Sequence, residues 1–362
     1  MRILGRKGLL LVAAVLLIGL ALPTFADDQL YIPVISKGFQ HQFWQAVKQG
    51  AEAAAKQYNV QITFEGPPTE ADIQPQVQML VNAMAKNPAA ICLAALDTNS
   101  VMDQLNEAMQ KHIPIIGFDS GVPNAPKGAI YATAATNSYN AAALAADKMF
   151  AVIKDKVAAA TAMKPVTIID FNQDATSQSV TSRGKGFRDE MIKLISTQTK
   201  HGKSDIKVTG NPAYIASDSP TMGKAVIIDV VVPATPKDTD ATDSAQAILN
   251  RVKSDNILGI FCSNEGVVRA VLSASDDGSA LPTQYPGMVV VGFDAGKAQK
   301  AAVKNKYFLG SITQDPVQIG FQAVDLAYKA IKKQPVANVD TGAKFYDASN
   351  MDQPEFGPLL YD

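Results

Sequence analysis

The chain is predicted to fold as two doubly wound α/β lobes, each built on a parallel sheet. Three observations lead to that class. Short apolar runs alternate with longer amphipathic ones, and the alternation begins afresh near residue 130. One phrase, an apolar strand ending in Gly-Phe-Asp, also occurs in each half, as Ile115-Ile116-Gly117-Phe118-Asp119 and Val290-Val291-Gly292-Phe293-Asp294. Strands alternating with helical periods imply right-handed crossovers, with helices on both faces of the sheet.

In the first half, Tyr31–Ile35 reads as a strand. Gln42–Gln57 reads as a helix, because Phe43, Ala46, Val47, Ala51 and Ala54 share one face. Val60–Phe64 is the next strand. Ile73–Ala85 is a helix with Val77, Leu80, Val81 and Met84 on its apolar face. Ala90–Leu96, Val101–Lys111 and Ile113–Phe118 complete the series as strand, helix and strand. The second half opens with the strand Ile130–Thr133 and the Ala-rich helix Ser138–Val152. Strand Val166–Asp170, helix Ser182–Ile195 and strand Ile206–Thr209 follow. Helix Ser244–Val252, strand Ile257–Phe261 and helix Val267–Ser275 come next. Strand Met288–Phe293, helix Ala298–Lys304, strand Phe308–Thr313 and helix Val317–Lys332 close the pattern. One segment, Gly210–Asp243, breaks it. Its apolar run Ala225–Val232 reads either as an extra strand or as the regular strand preceded by an inserted loop.

Ahead of the first strand, Arg2, Arg6 and Lys7 precede an apolar run from Leu9 to Leu22, and Thr24-Phe25-Ala26 leads to Asp27. The run is short for a hydrocarbon core of ~30 Å, so a signal peptide cleaved after Ala26 is expected, with export of the rest. No Cys follows the run, so no lipid attachment is expected there. Residues 27–362 suit two domains at roughly 100–200 residues each. Net charge is −1 with no basic cluster, which excludes a nucleic-acid footprint. Cys92 and Cys262 both lie inside apolar runs of different halves and are expected as buried free thiols.

In open α/β sheets, ligands bind beyond the carboxyl ends of the strands. Residues at those ends are therefore the candidates. A lone Asp there often caps the next helix, but Asp119 and Asp294 end the same phrase in both halves, which favours a shared role. Two carboxylates from opposite walls suit the hydroxyls of a polyol. Ser36 follows the first strand. His41 and Trp44 lead into the first helix, where an indole suits the apolar face of a sugar ring. Asn264 and Gln314 follow later strands and offer a donor and an acceptor together.

The segments VISKGFQHQFWQAVKQGAE, IPIIGFDS, ATNSYNAAALAADKM, SRGKGF, IFCSNEG, VVGFDAG and GSITQDPVQIG stand in an order and spacing that resembles the periplasmic sugar-binding proteins of ABC importers, of the ribose- and galactose-binding type. That resemblance implies a three-strand hinge and discontinuous lobes. The N-terminal lobe would be 27–135 plus 315–334, and the C-terminal lobe 136–314 plus 335–362. Hinge strands are expected near Ala134–Asn137, Asp315 and a third crossover. The resemblance places Ser36, His41, Phe43 and Trp44 on the first wall, with Asp119 gripping ring hydroxyls and Asn137 near a crossover. It places Asn264, Phe293 and Asp294 on the second wall and Gln314 at the hinge. Thr181 stands where the ribose-binding branch carries an Arg, and Arg183 lies two positions later, where the family's Arg belongs to the scaffold. Both are counted with the expected ligand-binding set. The aromatic residue of the second wall is missing near Asp238, so a ligand other than ribose held in the ribose manner is implied.

The implied function is capture of a monosaccharide or related polyol in the periplasm and delivery to an ABC permease, by a monomer, with no cofactor and no metal. A binding protein for a furanosyl signal (autoinducer-2-like), or one presenting a sugar to a chemoreceptor, is the alternative. A secreted carbohydrate-active enzyme, with Asp119 and Asp294 as its carboxylate pair, is the lesser alternative, and an enzyme is not expected. Gly223-Lys224 is followed by Ala225, with no glycine five residues upstream, so no phosphate loop is present. His41, His112 and His201 form no zinc spacing. A sugar-responsive repressor is not expected either, since a signal peptide occupies the place of its DNA-binding helices.

Overall fold

The computed structural model describes residues 29–361, so the expected signal peptide, 1–26, and its cleavage point lie outside the described residues. The first series runs β1 (Tyr31–Ile35), α1 (Gln42–Tyr58), β2 (Gln61–Glu65), α2 (Ile73–Ala85), β3 (Ile91–Leu93), α3 (Met102–Gln110), β4 (Ile115–Phe118) and β5 (Ile130–Ala135). The second runs α4 (Ser138–Ala159), β6 (Val166–Phe171), α5 (Gln178–Gln198), β7 (Ile206–Gly210), β8 (Val226–Val231), α6 (Asp238–Asn250), β9 (Ile257–Cys262), α7 (Glu265–Ser273), α8 (Ala280–Gln284), β10 (Val289–Phe293), α9 (Lys297–Lys304) and β11 (Gly310–Gln314). The chain then adds α10 (Pro316–Ile331), β12 (Val339–Asp340) and β13 (Ala343–Tyr346).

Among the described residues these strands form two sheets, ordered β12-β5-β4-β3-β1-β2 and β13-β11-β10-β9-β6-β8-β7. Only β13 runs antiparallel to its neighbour. Apolar cores cover both faces of each sheet: Ile32 and Val34 point to one side of the first, Ile35 to the other. That is why β6 and β9 are buried at every residue and read as continuous apolar runs. In the first lobe α1 and α10 cross at near backbone contact, where a Cβ on Gly320 would stand 1.9 Å from the Val47 carbonyl oxygen. In the second, a Cβ on Gly186 of α5 would stand 2.1 Å from the Tyr139 carbonyl of α4.

The chain passes between lobes after β5, after β11 and after β12. Residues 335–340 were expected with the second lobe, but β12 pairs in parallel with β5, Val339 opposite Ala134. The pairing continues the first sheet, and Asn338 Oδ1 accepts from the Thr133 amide at 2.9 Å. The crossing strands bond to each other, the Thr136 hydroxyl donating to the Gly342 carbonyl at 3.1 Å.

The irregular segment is now resolved. β8 lies beside β6, as β2 lies beside β1, so the run Ala225–Val232 holds the regular strand. The additional strand is β7, which takes the sheet edge and returns through residues 211–225 to the start of β8. Helix α6 starts at Asp238, earlier than Ser244, with Asp238 and Asp240 in the first turn at the positive end of the dipole. Cys92 and Cys262 are free and buried, one in each sheet.

Candidate functional site

The carboxyl ends of both sheets face one another across a narrow cavity that their side chains nearly fill, leaving about 10 Å³. Its lining is Lys37, His41, Phe43, Trp44, Glu70 and Asp119 from the first lobe, with Arg183, Asn264, Asp294 and Gln314 completing it. Strand β1 ends at Ile35, which delivers Lys37, and α1 begins after His41, which turns Phe43 and Trp44 inward. Phe43 meets Trp44 edge to face at 5.0 Å between centroids, and Trp44 meets Phe118 at 6.2 Å. The two rings are thus fixed by aromatic packing rather than by solvent exposure.

Arg183 stands at the centre. One turn into α5, its guanidinium lies 3.9 Å from Asp119 Oδ1 and 3.9 Å from Asp294 Oδ2, so it touches an acid of each lobe. It donates to the Ser263 carbonyl at 3.0 Å and stacks over Phe293, 3.9 Å from the ring centroid. Phe293 therefore serves as the platform beneath Arg183. Asp294 also accepts from Gln314 Nε2 at 2.7 Å and from the Glu265 amide at 3.0 Å. Asn264 caps α7 through the Val267 amide and donates to Gln173 at 2.8 Å.

Lys37 sits 3.4 Å from Asp119 and 3.9 Å from Glu70. Burial by itself lowers its pKa, but the carboxylates of Glu70, Asp119 and Asp174 outweigh that and hold it above the ordinary lysine value. Glu70 accepts from the Trp44 indole at 2.8 Å and from Gln173 at 2.7 Å. Burial pushes its pKa up, yet Lys37, His41 and those two donors prevail and lower it to about 2. Burial lifts the Asp119 carboxyl, opposed by Lys37 and Arg183. Neither ring nitrogen of buried His41 has a hydrogen-bond partner among the described residues, and Glu70 lies 3.8 Å away.

Several anticipated residues do not reach the cavity. The Ser36 hydroxyl is bonded to the Gly38 and Glu65 carbonyls at 3.1 Å each. The Thr181 hydroxyl donates back to the Ser177 carbonyl at 2.8 Å, as helix threonines do when the i−4 carbonyl is within reach. Asn137 is exposed and caps α4 through the Asn140 amide. Arg183, placed by the resemblance in the scaffold, is the residue that enters instead. Lys37 and Glu70 were missed. Lys37 was legible as a charge directly after an apolar strand, whereas Glu70, in a Pro-rich loop after β2, gave no such signal. Among the described residues no His, Cys, Asp and Glu cluster could hold a metal ion.

A cavity lined from two like lobes, with charged and amide groups from both walls, defines a two-lobed binding protein. The chain belongs to the periplasmic binding protein family: residues 32–335 match the model described as a periplasmic binding protein domain. It is 25% identical over 338 residues to the D-allose-binding periplasmic protein of Escherichia coli (strain K12), covering 91% of this chain and 93% of that one. Its fold is similar to a structure from Brachyspira murdochii described as an ABC transporter, LacI family transcriptional regulator. That pair shares 41% identity at TM-score 0.75, over 92% of this chain and 99% of the other. An ABC transporter solute binding protein from Agrobacterium vitis with bound D-fucose is 26% identical at TM-score 0.73, over 91% of this chain and 100% of that one.

Proposed function

We propose that the protein is the solute-binding component of an ABC importer, which closes on a monosaccharide or related polyol and hands it to a membrane permease. It does so as a monomer in the periplasm, after cleavage at Ala26. The observation that carries this reading is the set of ion pairs around the cavity. Lys37–Glu70, Lys37–Asp119, Arg183–Asp119 and Arg183–Asp294 span 3.4–3.9 Å, longer than direct hydrogen bonds. A hydroxyl standing beside such a pair, within reach of both partners, can accept from the cation and donate to the carboxylate. Mixed signs at close range suit a neutral ligand bearing many hydroxyls better than an ion. Trp44 and Phe43 supply the apolar wall for a ring, and the open His41 nitrogens supply a further donor and acceptor. The names of the relatives, with D-allose and D-fucose, support the same ligand class.

Thermal-shift screening against D-allose, D-fucose, other pentoses and hexoses, polyols and furanosyl signals tests it. A bound sugar raises the Tm by mass action, and Asp119→Ala lowers its affinity at least a hundredfold in calorimetry while the ligand-free Tm stays within a few degrees. No shift with any sugar, or turnover of a glycoside, refutes the reading.

A further inference from the structure

The additional strand β7 and its return loop contribute nothing to the cavity lining, yet one residue of the loop is driven fully inside. Tyr214 is 0% exposed. Its ring lies under α5, so close that a Cβ on Gly184 would stand 2.5 Å from it. Its hydroxyl donates to the Asp174 carbonyl. Asp174 in turn shapes the turn ahead of α5, its carboxylate accepting from the Thr176 amide at 2.9 Å and the Ser177 amide at 2.8 Å.

That turn is where the second lobe grips the first. The Thr176 hydroxyl donates to the Leu96 carbonyl at 3.1 Å, and the Thr98 amide donates to the Thr176 carbonyl at 3.3 Å. Gln178 accepts from the Gly121 amide at 3.4 Å, and the Ser179 amide donates to the Ser120 hydroxyl at 3.3 Å. Gln173 ties Glu70 of one lobe to Asn264 of the other at 2.7 and 2.8 Å.

We infer that Tyr214 is a positioning residue: the inserted loop uses it as a strut that presets the 173–179 lip for its clasp on the first lobe, and so sets how long a captured solute is held. The physical reason is preorganisation. A turn already fixed from below loses little further freedom when it docks on the first lobe, which favours the closed state without touching the ligand. In the first lobe β2 follows α1 directly, so the lip-supporting device exists on one side of the cleft only.

The clasp is tested without any sugar. Tyr214→Phe keeps the ring and deletes the hydroxyl. In native-state amide exchange of the ligand-free chain it speeds the Thr98 amide about fivefold, the order expected for one lost neutral hydrogen bond, and leaves Ile168 and Ile228 in the sheet unchanged. Thr176→Val, at an exposed position, does the same, and the two together speed it by less than the product of the singles. An unchanged Thr98 amide, a general rise across the second lobe, or a full product each overturns the inference. A kinetic arm, which rests on the sugar-capture reading, follows Trp44 fluorescence with D-allose as probe: dissociation of Tyr214→Phe rises several-fold and association stays within twofold. A change confined to association overturns the strut, whereas silence of D-allose beside a positive exchange result counts against sugar capture alone.

Discussion

Asp119 and Asp294 share a backbone conformation as well as a phrase. Both have positive φ, +52° and +79°, a region that side chains other than glycine visit at a cost and that Asp tolerates better than most. Each amide donates back into its own sheet, to Ala134 at 3.0 Å and Ile312 at 2.6 Å, which leaves the carboxylate turned off the strand end and into the cleft. A different acid lies deeper. Asp170 is wholly buried, accepts from Asn172 at 2.7 Å, and burial pushes its pKa up to about 8, only partly offset by that bond and by Arg188. Because the folded value lies above the unfolded one, the native state holds a proton that the unfolded chain releases. Stability from this group is therefore complete below the unfolded value of 3.8 and declines as pH rises towards about 8. Asp170→Asn keeps an oxygen acceptor and removes the ionisation. Its Tm relative to wild type rises between pH 5 and pH 8 in calorimetric scans; an equal difference at both pH values contradicts the assignment.

At the scale of elements, the helix pairs decide how tightly each lobe is built. Gly50 and Gly320 let α1 and α10 approach until backbones touch, a Cβ on either meeting a carbonyl oxygen at 1.9 Å. Backbone cannot give way as a flexible side chain can. Gly320→Ala therefore forces the helices apart and destabilises the first lobe by about 1–3 kcal/mol, the range for overpacking, read as a lower urea midpoint. A variant as stable as wild type would mean the helices have room to separate. Most elements were legible because apolar periods of 2 and 3.6 survive in single segments. β7 and β8 were legible as strands but their places were not, because both are short apolar runs and only the sheet order tells which stands beside β6.

Across the whole molecule, the closed arrangement depends on a carboxylate that bridges lobes. Glu70 of the first lobe accepts from Gln173 of the second, and its pKa is held at about 2 against an ordinary 4.5. The depressed value means that its contribution to folded stability is present above about 4.5 and is lost as pH falls towards 2, and the Gln173 bond is the part of it that crosses the cleft. Asp119, Asp174 and Glu265 are shifted upward by burial, so their protonation acts in the opposite sense. Comparison with Glu70→Gln isolates the Glu70 share. Small-angle scattering of the wild type shows a larger rise in radius of gyration between pH 5 and pH 3 than Glu70→Gln does. Equal rises would remove Glu70 from the clasp.

The sequence by itself determined the class of most elements, α8, β12 and β13 excepted, the two successive sheets and the pair of Gly-Phe-Asp strand ends, since all of these are local patterns. It also carried His41, Phe43, Trp44, Asn264 and Gln314 to the right strand ends. Only the tertiary structure decided which side chains meet. Ser36 and Thr181 sit beside the site but bond their hydroxyls to nearby carbonyls, whereas Arg183, one half-turn beyond Thr181, points across the cleft to both acids. Glu70 joins Lys37, Trp44 and Gln173 from distant segments. Those choices depend on helix rotation and on which loops the closed lobes press together, and neither is written in any one stretch of chain.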